Sequence, residues 1–289
     1  MIEEVKIIEC PRDAMQGIKS HFIPTEVKAK YINSLLKVGF DTIDFGSFVS
    51  PKAIPQMRDT ADVLNLLDLS TTRSKLLAIV ANVRGANDAS VFEEIDYLGY
   101  PFSISENFQM RNTHKTIAES VDILKDILNI AQKNNKKVVA YLSMGFGNPY
   151  GDPWDVEIVA NWTEKLANMG VKIVSLSDTI GSSTPKVIDY LFSNLTPSYP
   201  NIEFGAHLHT TPTTWFEKID SAYKAGCRRF DGAIKGYGGC PMAKDDLTGN
   251  MPTEKMLSYF TANKVETNIK PMSFESSYNK VLDVFNHNY

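Results

Sequence analysis

Short apolar runs alternate with longer amphipathic stretches along the whole chain. Eight of the runs read as strands: 6–10, 42–48, 75–80, 101–105, 137–144, 172–177, 202–209 and 228–234. The stretches between them repeat their apolar positions at helical spacing. In 117–134 the stripe is Ile117, Val121, Leu124, Leu128 and Ala131; in 155–169 it is Val156, Val159, Trp162, Leu166 and Met169. Further helices are expected to begin near Thr25, Asp59, Ala86, Thr184, Thr214 and Thr253, and an additional C-terminal helix from about Ser273. Punctuation agrees with this reading. Gly39, Gly99, Gly170 and Gly226 each follow a periodic run and precede a strand, where a helix C′ glycine belongs. Thr184-Pro185 reads as an N-cap followed by a first-turn proline.

No Pro-, Ser- or Gly-rich linker divides the chain. The expected fold is α/β: a (β/α)8 TIM barrel in one domain over residues 1–289, with about 270–289 as a C-terminal helical extension. A doubly wound open sheet is the alternative. It fits less well because no GxGxxG follows the first strand and the units are evenly spaced.

Composition narrows the class. At 289 residues, with 43% hydrophobic and 22% charged residues, the chain can bury a core without staples. A net charge of −4 and the lack of a Lys/Arg block argue against nucleic-acid binding. Cys10, Cys227 and Cys240 are odd in number and lack CxxC spacing, which fits a reducing compartment. The acidic, strand-like start resembles neither a signal nor a transit peptide, and no apolar run reaches the roughly 20 residues that span a bilayer. A cytoplasmic location without a membrane partner is the expectation.

The chemistry gathers where a barrel keeps it, at the C-terminal ends of the strands. Strand one runs into Arg12-Asp13; strand two carries Asp44 and then Ser47; strand six ends in Ser177-Asp178; strand eight leads to Cys240 and Asn250. Strand seven ends in His207-Leu208-His209, two of only five histidines. Residues i and i+2 of a strand share a face, about 6–7 Å apart, so two imidazoles can meet one divalent ion. The alternative is a pair of strand histidines bonded locally. Each neighbour also carries two readings. Arg12-Asp13 is a surface ion pair, or a cation aimed at a developing enolate or a carboxylate. Asp44 and Asp178 order loops, or act on substrate. Cys240 is a buried structural thiol, or a loop thiol freed by Gly236, Gly238 and Gly239 to move over substrate. Imidazole, carboxylate and amide without sulfur make a site for Mg²⁺, Mn²⁺ or, less specifically, Zn²⁺.

Several segments, spread over nearly the whole chain, resemble the 3-hydroxy-3-methylglutaryl-CoA lyase family, a metal-dependent barrel group related to isopropylmalate and homocitrate synthases. Pro11-Arg12-Asp13-Ala14-Met15-Gln16 is similar to its P-R-D-G-L-Q. Ser47-Phe48-Val49-Ser50-Pro51-Lys52 with Pro55-Gln56-Met57 resembles its S-F-V-S-P-K and P-Q-M runs. Ser177-Asp178-Thr179-Ile180-Gly181 and Gly236-Tyr237-Gly238-Gly239-Cys240-Pro241 resemble its D-T-I-G and G-L-G-G-C-P segments. The resemblance implies Asp13, His207, His209 and Asn250 as ligands of Mg²⁺ or Mn²⁺. It implies Arg12, Cys240, Asp178 and Asp44 as catalytic residues and Arg12 and Gln16 as substrate contacts. It further implies an acyl-CoA substrate, cleavage to acetoacetate and acetyl-CoA, and a homodimer; a related lyase, aldolase or Claisen-type synthase with a shifted acyl-CoA or oxo-acid substrate is the alternative, and a non-catalytic barrel the third reading. The chain departs from the family at Asp44, where the family has Glu, and at Thr210, where it has an acid or amide. It also departs over 244–250, where the family has small residues, and the spacing from Cys240 to Asn250 is one residue longer.

Overall fold

The computed structural model describes residues 4–239 and 248–285. Eight parallel strands close into a barrel in sequence order: β1 (Lys6–Glu9), β2 (Thr42–Ser47), β3 (Lys75–Ile79), β4 (Ile95–Ser103), β5 (Lys137–Ser143), β6 (Ile173–Ser177), β7 (Glu203–His207) and β9 (Arg229–Gly232). Two further strands, β8 (His209–Thr210) and β10 (Gly249–Asn250), form a small antiparallel pair. Around the barrel lie α1 (Pro11–Gln16), α2 (Thr25–Leu36), α3 (Thr60–Asn65), α4 (Val83–Ser90), α5 (Glu106–Thr113), α6 (Ile117–Lys133), α7 (Val156–Asn168), α8 (Pro185–Ser198), α9 (Trp215–Lys224), α10 (Thr253–Ala262) and α11 (Pro271–Phe285).

Helix starts follow local chemistry. Thr116 and Glu119 form a capping box at α6, and Asn82, Ser105, Asp155 and Thr184 each accept a backbone N–H in the first turn of α4, α5, α7 and α8. The apolar faces of the helices and the outward residues of the strands make the main core, with Ile7, Ile43, Leu98, Val174 and Phe230 among them. Alternate strand residues point into the barrel, where Leu77, Ile79, Val139, Tyr141 and Ile173 cluster. The C-terminal helix α11 packs beside α2, and Phe285 stacks on Tyr237 at 4.2 Å between ring centres.

Two expectations from the sequence need correction. The fourth strand begins at Ile95, not Pro101, so Gly99 lies inside β4 and not at a helix end. Gly39, Gly170 and Gly226 do take the left-handed φ of a C′ residue, at 97°, 101° and 98°. Gly99 serves packing instead: a Cβ there would lie 2.6 Å from Ile79 Cδ1 and 3.2 Å from Tyr141 Cε2. The second correction is the break in 202–209. β7 stops at His207, and His209 belongs to β8, which leaves the barrel wall to pair with Asn250.

Candidate active site

Pro11 opens α1 immediately beyond β1, in the first turn, where an N–H would have no acceptor within the helix. This turn carries Arg12 and Asp13 over the C-terminal mouth of the barrel, and both are buried. The pairing of β2 with β3 shifts register between Asp44 and Gly46, the kind of irregularity that re-aims a side chain at a barrel rim. Asp44 there grips Arg12: Nη2 donates to Oδ2 at 2.5 Å and Nε to Oδ1 at 3.1 Å, while Nη1 reaches Asp13 Oδ1 at 3.0 Å. Burial pushes the Asp44 carboxyl up to about 6, against the pull of Arg12. The two carboxylates outweigh burial at Arg12 and hold its guanidinium firmly cationic.

Asp13 is the hub. Gln16 Nε2 donates to its Oδ1 at 2.6 Å and Asn250 Nδ2 to its Oδ2 at 2.7 Å. Burial opposes its charge, but Arg12, His207, Asn250 and His209 together hold the carboxyl below the usual range. The ligand atoms of Asp13, His207 and His209 all lie within 4.8 Å of one another. The two imidazole rings are 5.4 Å apart. His209 Nε2 is buried and has no hydrogen-bond partner among the described residues. Burial, with His207 close by, pushes His209 down to about 4, so it stands neutral with a free lone pair. An orphaned neutral imidazole, an ionised carboxylate and a second imidazole are the donor set a divalent ion needs. The residues therefore fit a metal. Asn250 reaches this set by its amide nitrogen, which is also bonded to Tyr237 O at 2.9 Å; a cation would be met by its Oδ1.

The cavity above the cluster is lined by Arg12, Asp13, Gln16, His207 and His209, with Ser47, Ile79, Phe108, Asn112, Tyr141 and Thr179 around them. Asp44 and Asp178 are not in that lining. Asp44 sits behind Arg12. Asp178 is fully buried and bonded to Lys218 Nζ at 2.7 Å and to Ser183 Oγ at 2.5 Å. Cys240 lies outside the described residues. The glycine loop before it presses on α1: Gly238 has φ 87°, and a Cβ there would be 2.7 Å from Asp13 O and 2.9 Å from Asn250 Nδ2.

Three groups at this site escaped the sequence reading. Asp231 on β9 accepts from His207 Nδ1 at 3.2 Å and from Ser175 Oγ at 3.3 Å. Burial works to lower the His207 pKa, but this contact reverses it and the ring is pushed up. An acid alternating with Arg229 along a strand was the available signal. Lys218, on α9, had none. Cys10, which carried no site assignment in the sequence, is buried and faces inward, its thiol near His207 and Asp231.

A model of the HMGL-like family matches residues 4–281. A hydroxymethylglutaryl-CoA lyase of Bacillus subtilis is 35% identical over 268 residues, which cover 90% of this chain and 86% of that protein. The crystal structure of a Bacillus subtilis HMG-CoA lyase is similar with a TM-score of 0.90 at 34% identity, over 97% of this chain and 93% of the other. An Acinetobacter baumannii HMG-CoA lyase, solved with coenzyme A and 3-methylmalate, gives a TM-score of 0.89 at 27% identity, over 98% and 92% of the two chains.

Proposed function

The chain belongs to the HMGL-like family, and from that membership and its site we propose a metal-dependent carbon–carbon lyase that cleaves 3-hydroxy-3-methylglutaryl-CoA to acetoacetate and acetyl-CoA. The observation that carries the proposal is the convergence of Asp13, His207 and His209, with an unpartnered His209 Nε2, beside a clamped Arg12.

Asp13, His207, His209 and the Asn250 carbonyl would hold Mg²⁺ or Mn²⁺. Such an ion supplies a Lewis acid that makes a bound hydroxyl more acidic. Asp13 and His207 are the groups placed to take the proton of the C3 hydroxyl. As that O–H pair becomes the carbonyl of acetoacetate, the C2–C3 bond breaks and its electrons pass to the thioester as an enolate. Arg12 is set to stabilise that charge, because Asp44 fixes the plane of its guanidinium toward the cavity. Gln16 contacts the substrate carboxylate from the same turn. A proton delivered to the enolate carbon, with Cys240 assigned to this step on the family resemblance, gives acetyl-CoA. Asp44 acts through Arg12 and not on the substrate.

The acyl-CoA is the small-molecule partner in this reading. Among the described residues no helix is long and apolar enough to cross a membrane. The buried free thiols of Cys10 and Cys227 suit the reducing cytoplasm. A homodimer is proposed on the family resemblance alone.

The test is a steady-state assay of the full chain with 3-hydroxy-3-methylglutaryl-CoA. Acetyl-CoA and acetoacetate should appear in equal amounts with added Mg²⁺ or Mn²⁺ and cease with EDTA. Absence of product at every metal concentration would reject the reading. Turnover of another 3-hydroxyacyl-CoA alone would assign a shifted substrate.

A further inference from the structure

Lys218 is one of the most buried charged groups of the chain, with 2% exposure, and nothing in the chemistry above employs it. It projects from α9 into the space behind the metal cluster. Its Nζ donates to Asp178 Oδ2 at 2.7 Å, to His209 O at 2.8 Å and to Gly181 O at 3.0 Å. Three ammonium protons thus meet three acceptors. Asp178 is itself anchored: it accepts from Ser183 N at 2.9 Å and Ser183 Oγ at 2.5 Å, and its own N–H donates to His207 O at 2.9 Å.

His209 needs such a support. It lies past the end of the barrel strand, in the two-residue β8, whose ladder partner is the equally short β10. Two residues of ladder leave an imidazole less constrained than a barrel strand would. A tie to the main-chain carbonyl from the opposite side sets the plane of the following peptide and, with it, the direction of the ring.

We propose that Lys218 is a positioning residue for His209: its ammonium binds the His209 carbonyl to the anchored Asp178 carboxylate, so that the imidazole meets Asp13 and His207 around the metal. This rests on the metal reading of the site. The chemistry of the pair explains why both charges are present. A lone buried ammonium this close would oppose a dication, and the Asp178 carboxylate cancels that field. Asp178 is consequently a positioning residue too, since its oxygens are taken by Lys218 and Ser183.

The experiment is Mn²⁺ titration of the metal-stripped full chain, followed by the electron paramagnetic resonance of free Mn²⁺, with circular dichroism to verify folding. The wild type should bind Mn²⁺ with one strong site. Lys218→Met should weaken it by about 10- to 100-fold, the usual effect of removing a support behind a metal ligand. It should lower kcat more than it raises the KM for the acyl-CoA. Lys218→Arg, which keeps charge and donors, should recover most of the affinity. Lys218→Met leaves Asp178 unpaired and is exposed to misfolding; the double variant Asp178→Asn/Lys218→Met removes both charges and carries the same expectation. An unchanged Mn²⁺ dissociation constant in either folded variant overturns the proposal and leaves the metal reading intact. Failure of the wild type to bind Mn²⁺ overturns both.

Discussion

Glu9 offers the sharpest test of how burial is used around this site. It is the last residue of β1 and is fully buried on the outer side of the barrel. Ile234 N donates to its Oε1 at 2.9 Å and Thr253 Oγ1 meets its Oε2 at 2.6 Å. It therefore ties β1 to the segments that flank the glycine loop and Asn250. Burial pushes its carboxyl from 4.5 to about 8, with the two hydrogen bonds opposing and Glu254 adding a little. Glu9 is thus protonated in the native state at neutral pH.

The consequence for stability has a definite sign. Below about pH 4.5 native and unfolded chains both hold the proton, and the group contributes no pH dependence. From there to about 8 the unfolded chain has lost the proton and the native chain keeps it, so stability falls as pH rises, by about 1.4 kcal/mol per unit. Above about 8 the loss levels off, at roughly 5 kcal/mol in all. Glu9→Gln reproduces the neutral acid: the amide oxygen accepts from Ile234 N and the NH₂ faces Thr253 Oγ1. Urea unfolding followed by tryptophan fluorescence, from about pH 5 to about pH 8.5, would give the stability of both proteins. Their difference isolates this one group from every other titration. It should be small, under about 1 kcal/mol, at the acid end and grow with pH in favour of Glu9→Gln. A difference that stays constant across that range would refute the protonated buried carboxyl.

Arg12→Lys removes the fork that spans Asp44 and Asp13 and should lower kcat by about a hundredfold or more with a smaller change in KM; a kcat within a few-fold of wild type would contradict the role of Arg12. His207 is pushed up by Asp231, so a metal ion competes with a proton for its ring nitrogen, and Mn²⁺ affinity should rise with pH as that proton is lost. Calorimetry in two buffers of different ionisation enthalpy would count that proton, and no release would count against the assignment of His207. Gly99→Val places methyl groups against Ile79, Leu77 and Tyr141 inside the barrel and should cost about 1–3 kcal/mol, read as a lowered Tm. An unchanged Tm would show that the barrel interior has room that the packing denies.

Much of this architecture was legible along the chain because its causes are local. Alternation of short apolar runs with amphipathic stretches follows from what each segment must bury, and seven of the eight strands begin within a residue of their expected starts. The fourth begins six residues before its expected start, because Gly99 has the same place in the chain whether it ends a helix or clears space for Tyr141. The C-terminal helix, expected from about Ser273, runs over Pro271–Phe285.

The site divides along the same line. His207 and His209, Arg12 and Asp13 announce themselves by residue type and by their place at strand ends, which is a property of sequence once the barrel is inferred. Which groups stand behind them is decided only by folding. Asp231 meets His207 across the β7–β9 pairing, Asp44 grips Arg12 from a neighbouring strand, and Lys218 reaches His209 and Asp178 from a helix. Those contacts join residues far apart in the chain, and their energies come from burial, which strengthens paired charges and penalises lone ones. The sequence by itself therefore determined the barrel and the chemical identity of the reactive groups. The tertiary structure alone decided their partners and hence their protonation: a neutral His209, an ionised Asp13, a Glu9 that keeps its proton, and an Asp178 turned away from the cavity.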